Sequence, residues 1–122
     1  MPELPEVETT KNAILPFKGK TLKRIIVNNP SLRWPVDEKL INKIKDVKVL
    51  SISRRAKYIF LNLDEMTIII HLGMTGTFRI QKIGSNEIRK HDHVVFEFSK
   101  EVIIFNDPRR FGSLHVLSLI HI

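Results

Sequence analysis

The sequence predicts an α+β domain that is mainly β, with one N-terminal helix packed against antiparallel strands and a short second helix. Three observations carry the prediction. Leu4, Val7, Ala13 and Ile14 recur at spacings that fit one helical face near the start. Eight stretches rich in β-branched residues follow, several alternating polar with apolar. Turn-forming clusters separate them at the spacing of a sandwich or a partly closed barrel.

The elements follow in order. Pro16 and Gly19 end the first pattern, so residues 3–15 read as helix. Strands are expected at TLKRIIVN (21–28), VKVLSISRR (47–55), AKYIFLNL (56–63), MTIIIHL (66–72), GTFRIQK (76–82), HDHVVFEF (91–98), EVIIFND (101–107) and FGSLHVL (111–117). Between the first two, Val36, Leu40, Ile41 and Ile44 share a helical face behind Pro35, which predicts a short helix over residues 36–44. Turns fall at Asn28–Pro30, Leu63–Glu65, Gly73–Gly76, Gly84–Asn86, Ser99–Glu101 and Asp107–Pro108. The closing LSLIHI is apolar, without a cap or polar tail. It reads either as a short core strand or as a cut end.

With 122 residues, 43% hydrophobic and 27% charged, the chain has the size and balance of one soluble globular domain spanning residues 1–122. Twenty Lys and Arg against thirteen Asp and Glu leave a formal charge of +7, which favours a polyanionic partner. Cysteine is absent, excluding disulfides and thiolate zinc sites in these residues. No run reaches the roughly 18 apolar residues of a membrane span, and the acidic start differs from the basic head of a signal peptide. A soluble location inside the cell, with no membrane partner, is the expectation.

The opening MPELPEVETT combines Pro2 and Pro5 with Glu3, Glu6 and Glu8 at a helix start. One reading is a well-capped helix. The other makes the terminus a reagent: if Met1 is removed, Pro2 carries a secondary amine whose reference pKa, about 7.7–8, leaves a nucleophilic fraction near neutrality. Such an amine attacking a sugar C1′ gives an iminium, an electron sink for eliminating the 3′ phosphate. Glu3 is placed to move protons there, and Glu6 lies within helical reach.

Four further stretches carry chemistry or contact. In SRRAKYIF, Arg54, Arg55 and Lys57 surround a strand-to-strand turn, with Arg55 and Lys57 on one face by alternation; phosphate contact and a solvated strand end both fit. In IIIHLGMTG, Gly73 and Gly76 bracket a tight turn that would hold Met74 outward to fill a gap in a base stack, or leave it as core filler. NDPRRFG places Arg109, Arg110 and Phe111 on one loop, suited to inserting a wedge and a cationic donor into a duplex, or to a plain surface loop. In KHDH, His91 and His93 alternate onto one strand face without a third ligand, so no metal site is assigned; Lys90 and His91 fit phosphate contact or a polar strand start.

MPELPEVET, LRWP, RRAKY, HLGMTG, KHDHV and NDPRRFG together resemble the bacterial formamidopyrimidine-DNA glycosylases, which excise 8-oxoguanine and ring-opened purines and then cleave the abasic site. Order and approximate spacing match across residues 1–112. The resemblance implies an N-terminal helix on an eight-stranded β-sandwich, with Pro2 as Schiff-base nucleophile, Glu3 as its proton donor and acceptor, and Glu6 as a supporting carboxylate. It implies Lys57 as second acid and phosphate ligand, and His91 as a DNA-backbone contact. Arg109 would read the estranged cytosine, Phe111 wedge the stack and Met74 prop it. The Leu at position 4 and the Met, Arg and Phe set favour this branch over the similar endonuclease VIII.

The implied partner is double-stranded DNA with an oxidised purine or an abasic site, bound by a monomer in a bacterial cytoplasm. Members of the family add a helix–two-turn–helix domain and a four-cysteine zinc finger, and neither is in these residues. The expectation is therefore a truncated chain that needs no cofactor in this segment. The competing expectation is a non-catalytic DNA-binding remnant; a purely structural β domain would need six accidental motif matches.

Overall fold

The computed structural model describes residues 4–28, 37–73, 76–85, 90–108 and 112–118. Helix α1 spans Leu4–Ile14, and Val7 and Ile14, two turns apart on one face, are buried. Ala13, grouped with that face by spacing, is exposed instead. The helix gives way to a 3-10 turn, Leu15–Phe17, with Pro16 inside it, and Phe17 is buried in place of a further helical residue. Gly19 then turns the chain at φ +84°, its N–H donating to the Val49 carbonyl at 2.7 Å.

Among the described residues ten strands form, because two of the eight expected stretches change partner midway. Residues 21–28 divide into β1 (Thr21–Leu22) and β2 (Arg24–Val27), with the Lys23 N–H donating to the Glu97 carbonyl and the Lys23 carbonyl accepting from Asp46. Lys23 is thus where the chain leaves one sheet for another. Residues 47–55 divide into β3 (Val47–Lys48) and β4 (Ser51–Arg55), the Val49 N–H going to Lys20 and the Leu50 N–H to Asn62. The others are β5 (Tyr58–Asn62), β6 (Met66–His71), β7 (Thr77–Lys82), β8 (Asp92–Glu97), β9 (Glu101–Asn106) and β10 (Ser113–Ser118).

The described strands form sheets of four, four and two, in the orders β10-β6-β5-β4, β2-β8-β9-β7 and β1-β3, so the mainly β, antiparallel expectation holds while the count differs from the eight expected of the sandwich. Every pairing is antiparallel. Helix α2, Glu38–Asn42, is shorter than the expected 36–44; the Asp37 carboxylate caps it by accepting the Leu40 N–H at 3.2 Å. Val36 and Pro35 lie outside the described residues.

Alternation decides which side chains are inside. Ile59 and Leu61 of β5, Ile68 and Ile70 of β6 and Leu114 and Val116 of β10 meet Val94, Phe96, Ile103 and Phe105 of the other four-stranded sheet in one buried cluster. Val7, Ile14 and Phe17 join it, seating α1 on β4 and β5. Among the described residues no helix is long and apolar enough to cross a membrane.

Candidate functional site

Strand register brings the motifs to one rim. At the end of the first sheet, Tyr58, His71 and Ser113 are cross-strand neighbours on β5, β6 and β10. With strands about 4.8 Å apart, the β4–β5 turn holding Lys57, the loop after β6 and the loop before β10 emerge side by side. At the end of the second sheet, Thr77, Asn106 and Asp92 are neighbours on β7, β9 and β8. Since β6 leads to β7 and β9 leads to β10, both ends belong to the same rim.

On the first sheet, Ala56 and Lys57 form the two-residue turn between Arg55 and Tyr58, with Ala56 at φ +52°. The turn breaks the alternation that was expected to put Arg55 and Lys57 on one strand face. Arg55 is exposed and Lys57 half-buried. Arg54 ties this turn to the helix: its Nε donates to the Glu8 carboxylate and its NH1 to the Ala56 carbonyl, each at 2.8 Å. Lys11 Nζ donates to the other Glu8 oxygen at 2.9 Å. The Arg54 hydrogen bond, then that of Lys11, holds the Glu8 pKa below the usual glutamate range. Glu6 is exposed in the first turn of α1. Pro2 and Glu3 lie outside the described residues.

Beside the turn, the His71 ring packs against Tyr58 at a tilt of 59°, centroids 5.0 Å apart, and its Nδ1 accepts the Gly73 N–H at 3.0 Å. The chain reverses at Gly73, φ +67°, and the Gly76 N–H returns to the Leu72 carbonyl at 2.8 Å. A side chain at Gly76 would strike that carbonyl and the Phe105 ring. Met74, between the glycines, lies outside the described residues, as do Arg109, Arg110 and Phe111 of NDPRRFG. The ends of the latter loop are fixed. Asp107 is fully buried and its Oδ2 accepts the Gly112 N–H at 2.7 Å.

On the second sheet, His91 and His93 part company. A register irregularity between Asp92 and Val94 breaks the expected alternation, and the buried His93 Nε2 donates to the Asp107 carbonyl at 2.6 Å. His91 is half-buried at φ +71°, and its carbonyl accepts the Asp107 N–H at 3.1 Å. Among the described residues no group of three His, Cys, Asp or Glu side chains could hold a metal ion.

Sequence reasoning missed the polar set beneath His91. Asp92, with a side chain 4% exposed, accepts both NH1 and NH2 of Arg79, at 3.1 and 2.7 Å. Asn106 donates from Nδ2 to Asp92 Oδ1 and to the Lys90 carbonyl, both at 2.8 Å. The available signal was Arg79 itself, a long cation set between apolar neighbours in FRI.

Residues 1–114 match the model of the formamidopyrimidine-DNA glycosylase N-terminal domain. Among curated relatives, the formamidopyrimidine-DNA glycosylase of Alcanivorax borkumensis is 49% identical over 116 residues, covering 93% of this chain and 42% of the relative. That of Acinetobacter baumannii is 40% identical over 114 residues, covering 93% and 41%. The chain thus spans about two-fifths of the length of these relatives. Among solved structures, Lactococcus lactis Fpg (MutM) in complex with an oxidized-pyrimidine-containing DNA superposes with a TM-score of 0.87 at 30% identity, covering 97% of this chain and 45% of that one. The same protein bound non-covalently to DNA with an abasic site gives the same score over 96% and 45%.

Proposed function

The chain belongs to the formamidopyrimidine-DNA glycosylase family, matching its N-terminal domain, and we propose that it supplies the catalytic half of a bifunctional glycosylase and abasic-site lyase for oxidised purines. Its partner is double-stranded DNA with 8-oxoguanine, a formamidopyrimidine or an abasic site, met as a monomer in a bacterial cytoplasm. The observation that carries the reading is the shared rim: the turn of Lys57 and the loops after β6 and before β10 emerge together, and Arg54 ties that turn to Glu8 of α1.

The chemistry follows from the residue types. With Met1 removed, the Pro2 amine attacks C1′, the N-glycosidic bond breaks and the base leaves with a proton. Opening of the sugar ring converts the adduct to an iminium, which acidifies C2′. Loss of that proton breaks the C3′–O bond and releases the 3′ phosphate. Glu3 delivers and receives protons at this centre, with Glu6 as its supporting carboxylate; Lys57 acts as second acid and phosphate ligand. Arg109, Phe111 and Met74 occupy the space left by the extruded nucleotide, and His91, Arg55 and Arg110 contact the backbone.

Borohydride trapping tests this on an 8-oxoguanine duplex and a pre-formed abasic duplex, with the N-terminal mass measured alongside. A reduced adduct on both, lost in Pro2→Gly, is expected. An adduct on the abasic duplex alone would remove base excision from the proposal. Salt-sensitive binding without any adduct would replace it with a non-catalytic DNA-binding role.

A further inference from the structure

The Arg79–Asp92 pair is an expensive way to hold a sheet together. Arg79 lies on β7 and Asp92 on β8, strands that are not neighbours, so the guanidinium reaches across β9 to close two parallel hydrogen bonds. The Arg79 and Asp92 side chains are only 16% and 4% exposed. Two charges withdrawn this far from water rarely add net stability over apolar residues of the same volume, and nearby Val95 and Ile104 show that this sheet accepts apolar side chains. Such a network instead fixes geometry, because each of its members has few ways to be satisfied.

What it fixes is the entrance to the rim. Asp92 Oδ1 and the Lys90 carbonyl share the Asn106 amide, and the His91 carbonyl takes the Asp107 N–H, so residues 90–92 are bound to 106–107 at each position. His91, in the middle, is held at φ +71°, a conformation that a non-glycine residue keeps only where its surroundings impose it. From the other side, Asn28 Nδ2 donates to the Asp92 carbonyl at 3.1 Å. Asn106 and Asp107 open the loop that carries Arg109.

We propose that Arg79 and Asp92 are positioning residues for opposite-base recognition: by locking residues 90–92 to 106–107 they hold His91 and fix the two residues from which the loop carrying Arg109 starts. The inference rests on the DNA-reading role proposed for that loop, and it separates positioning from the imine chemistry at Pro2. Replacing the pair by apolar residues of similar size leaves the sheet packed and removes that hold.

The experiment compares wild type with the double variant Arg79→Met, Asp92→Leu and the single variant Asp92→Asn. Melting temperature, duplex binding with cytosine or adenine opposite an abasic site, and borohydride trapping on the same duplexes are measured. Expected are a melting temperature within a few degrees of wild type for the double variant, trapping of the abasic site retained, and a cytosine-over-adenine binding ratio reduced tenfold or more. If the double variant does not fold, Asp92→Asn, which keeps the shape and an Asn106 contact, is expected to lose the ratio. A ratio within twofold of wild type in a folded variant overturns the inference, and so does a wild type with no preference between the bases. A wild type that forms no adduct yet prefers cytosine refutes the catalytic proposal alone, because the binding ratio still decides the positioning role.

Discussion

Gly112→Ala tests how closely the two loops of the rim are pressed together. The constraint on Gly112 is space. A Cβ there would lie 2.7 Å from the His71 carbonyl oxygen, 2.8 Å from Phe105 Cζ and 2.9 Å from Asp107 Oδ2. All three must give by several tenths of an ångström, and none can retreat. The His71 carbonyl belongs to β6 at its register with Ser113, the Phe105 ring is fully buried, and Asp107 Oδ2 is held by the Gly112 N–H itself. Overpacking against such neighbours costs about 1–3 kcal/mol. For a domain of this size, a loss of about 2 kcal/mol lowers the melting temperature by roughly 8 °C. Thermal unfolding followed by circular dichroism measures it, with Gly19→Ala as the reference. Gly19 has open space around its Cβ direction but φ +84°, so its variant bears only the left-handed backbone cost of about 1–2 kcal/mol. The two variants separate by readout: Gly112→Ala also shifts the His71 and Asp107 amide resonances, whereas Gly19→Ala does not. A Gly112→Ala protein that melts within 2 °C of wild type, with those resonances unmoved, would refute the close approach.

Three other substitutions probe the remaining supports. Glu8 has its pKa lowered in the folded state, chiefly by Arg54, so its contribution is complete above the ordinary glutamate range and is lost as pH falls through the lowered value; acid-limb melting of Glu8→Gln is expected to fall less steeply than that of wild type, and parallel curves would count against the clamp. Ile70→Ala, at a fully buried position between β5 and β10, should cost about 2–5 kcal/mol by denaturant titration. Lys57→Met is expected to reduce the slope of log affinity for duplex DNA against log salt by about one, and an unaltered slope would remove Lys57 from the phosphate contacts.

The eight stretches were legible because each alternates or runs apolar over a strand's length, a local property. Their division was not. Lys23 and the Val49–Leu50 step look like ordinary strand residues, and only the carbonyls they meet, on Glu97, Lys20 and Asn62, make the chain change partner there. Ala13 illustrates the limit of helical spacing: small and apolar, it sits on the edge of the face that Val7 and Ile14 define and is left outside. Lys57 was legible as a turn residue, yet its face was not, since a two-residue turn cancels the alternation used to assign it. Arg79 and Asp92 lie thirteen residues apart in sequence and meet only because β9 inserts between their strands, which no local pattern encodes.

The rim divides along the two sheets, and the division has a physical consequence. The Lys57 turn and the Arg54 tether to α1 belong to the sheet that ends at Tyr58, His71 and Ser113. The segment of His91 and the start of the 107–112 loop belong to the sheet that ends at Thr77, Asn106 and Asp92. Each sheet's register is fixed by which side chains it buries, and a one-residue slip would expose the whole core face. The two halves are therefore rigid within themselves and meet at the crossings from β6 to β7 and from β9 to β10. Phe105 is common to the described ends of both crossings, since its ring would strike a Cβ at Gly76 and another at Gly112. Shortening that ring leaves each sheet's hydrogen bonds intact but removes the stop against which both loops are set. Phe105→Leu should accordingly loosen the two loops together, a coupling that a defect confined to either sheet would not produce.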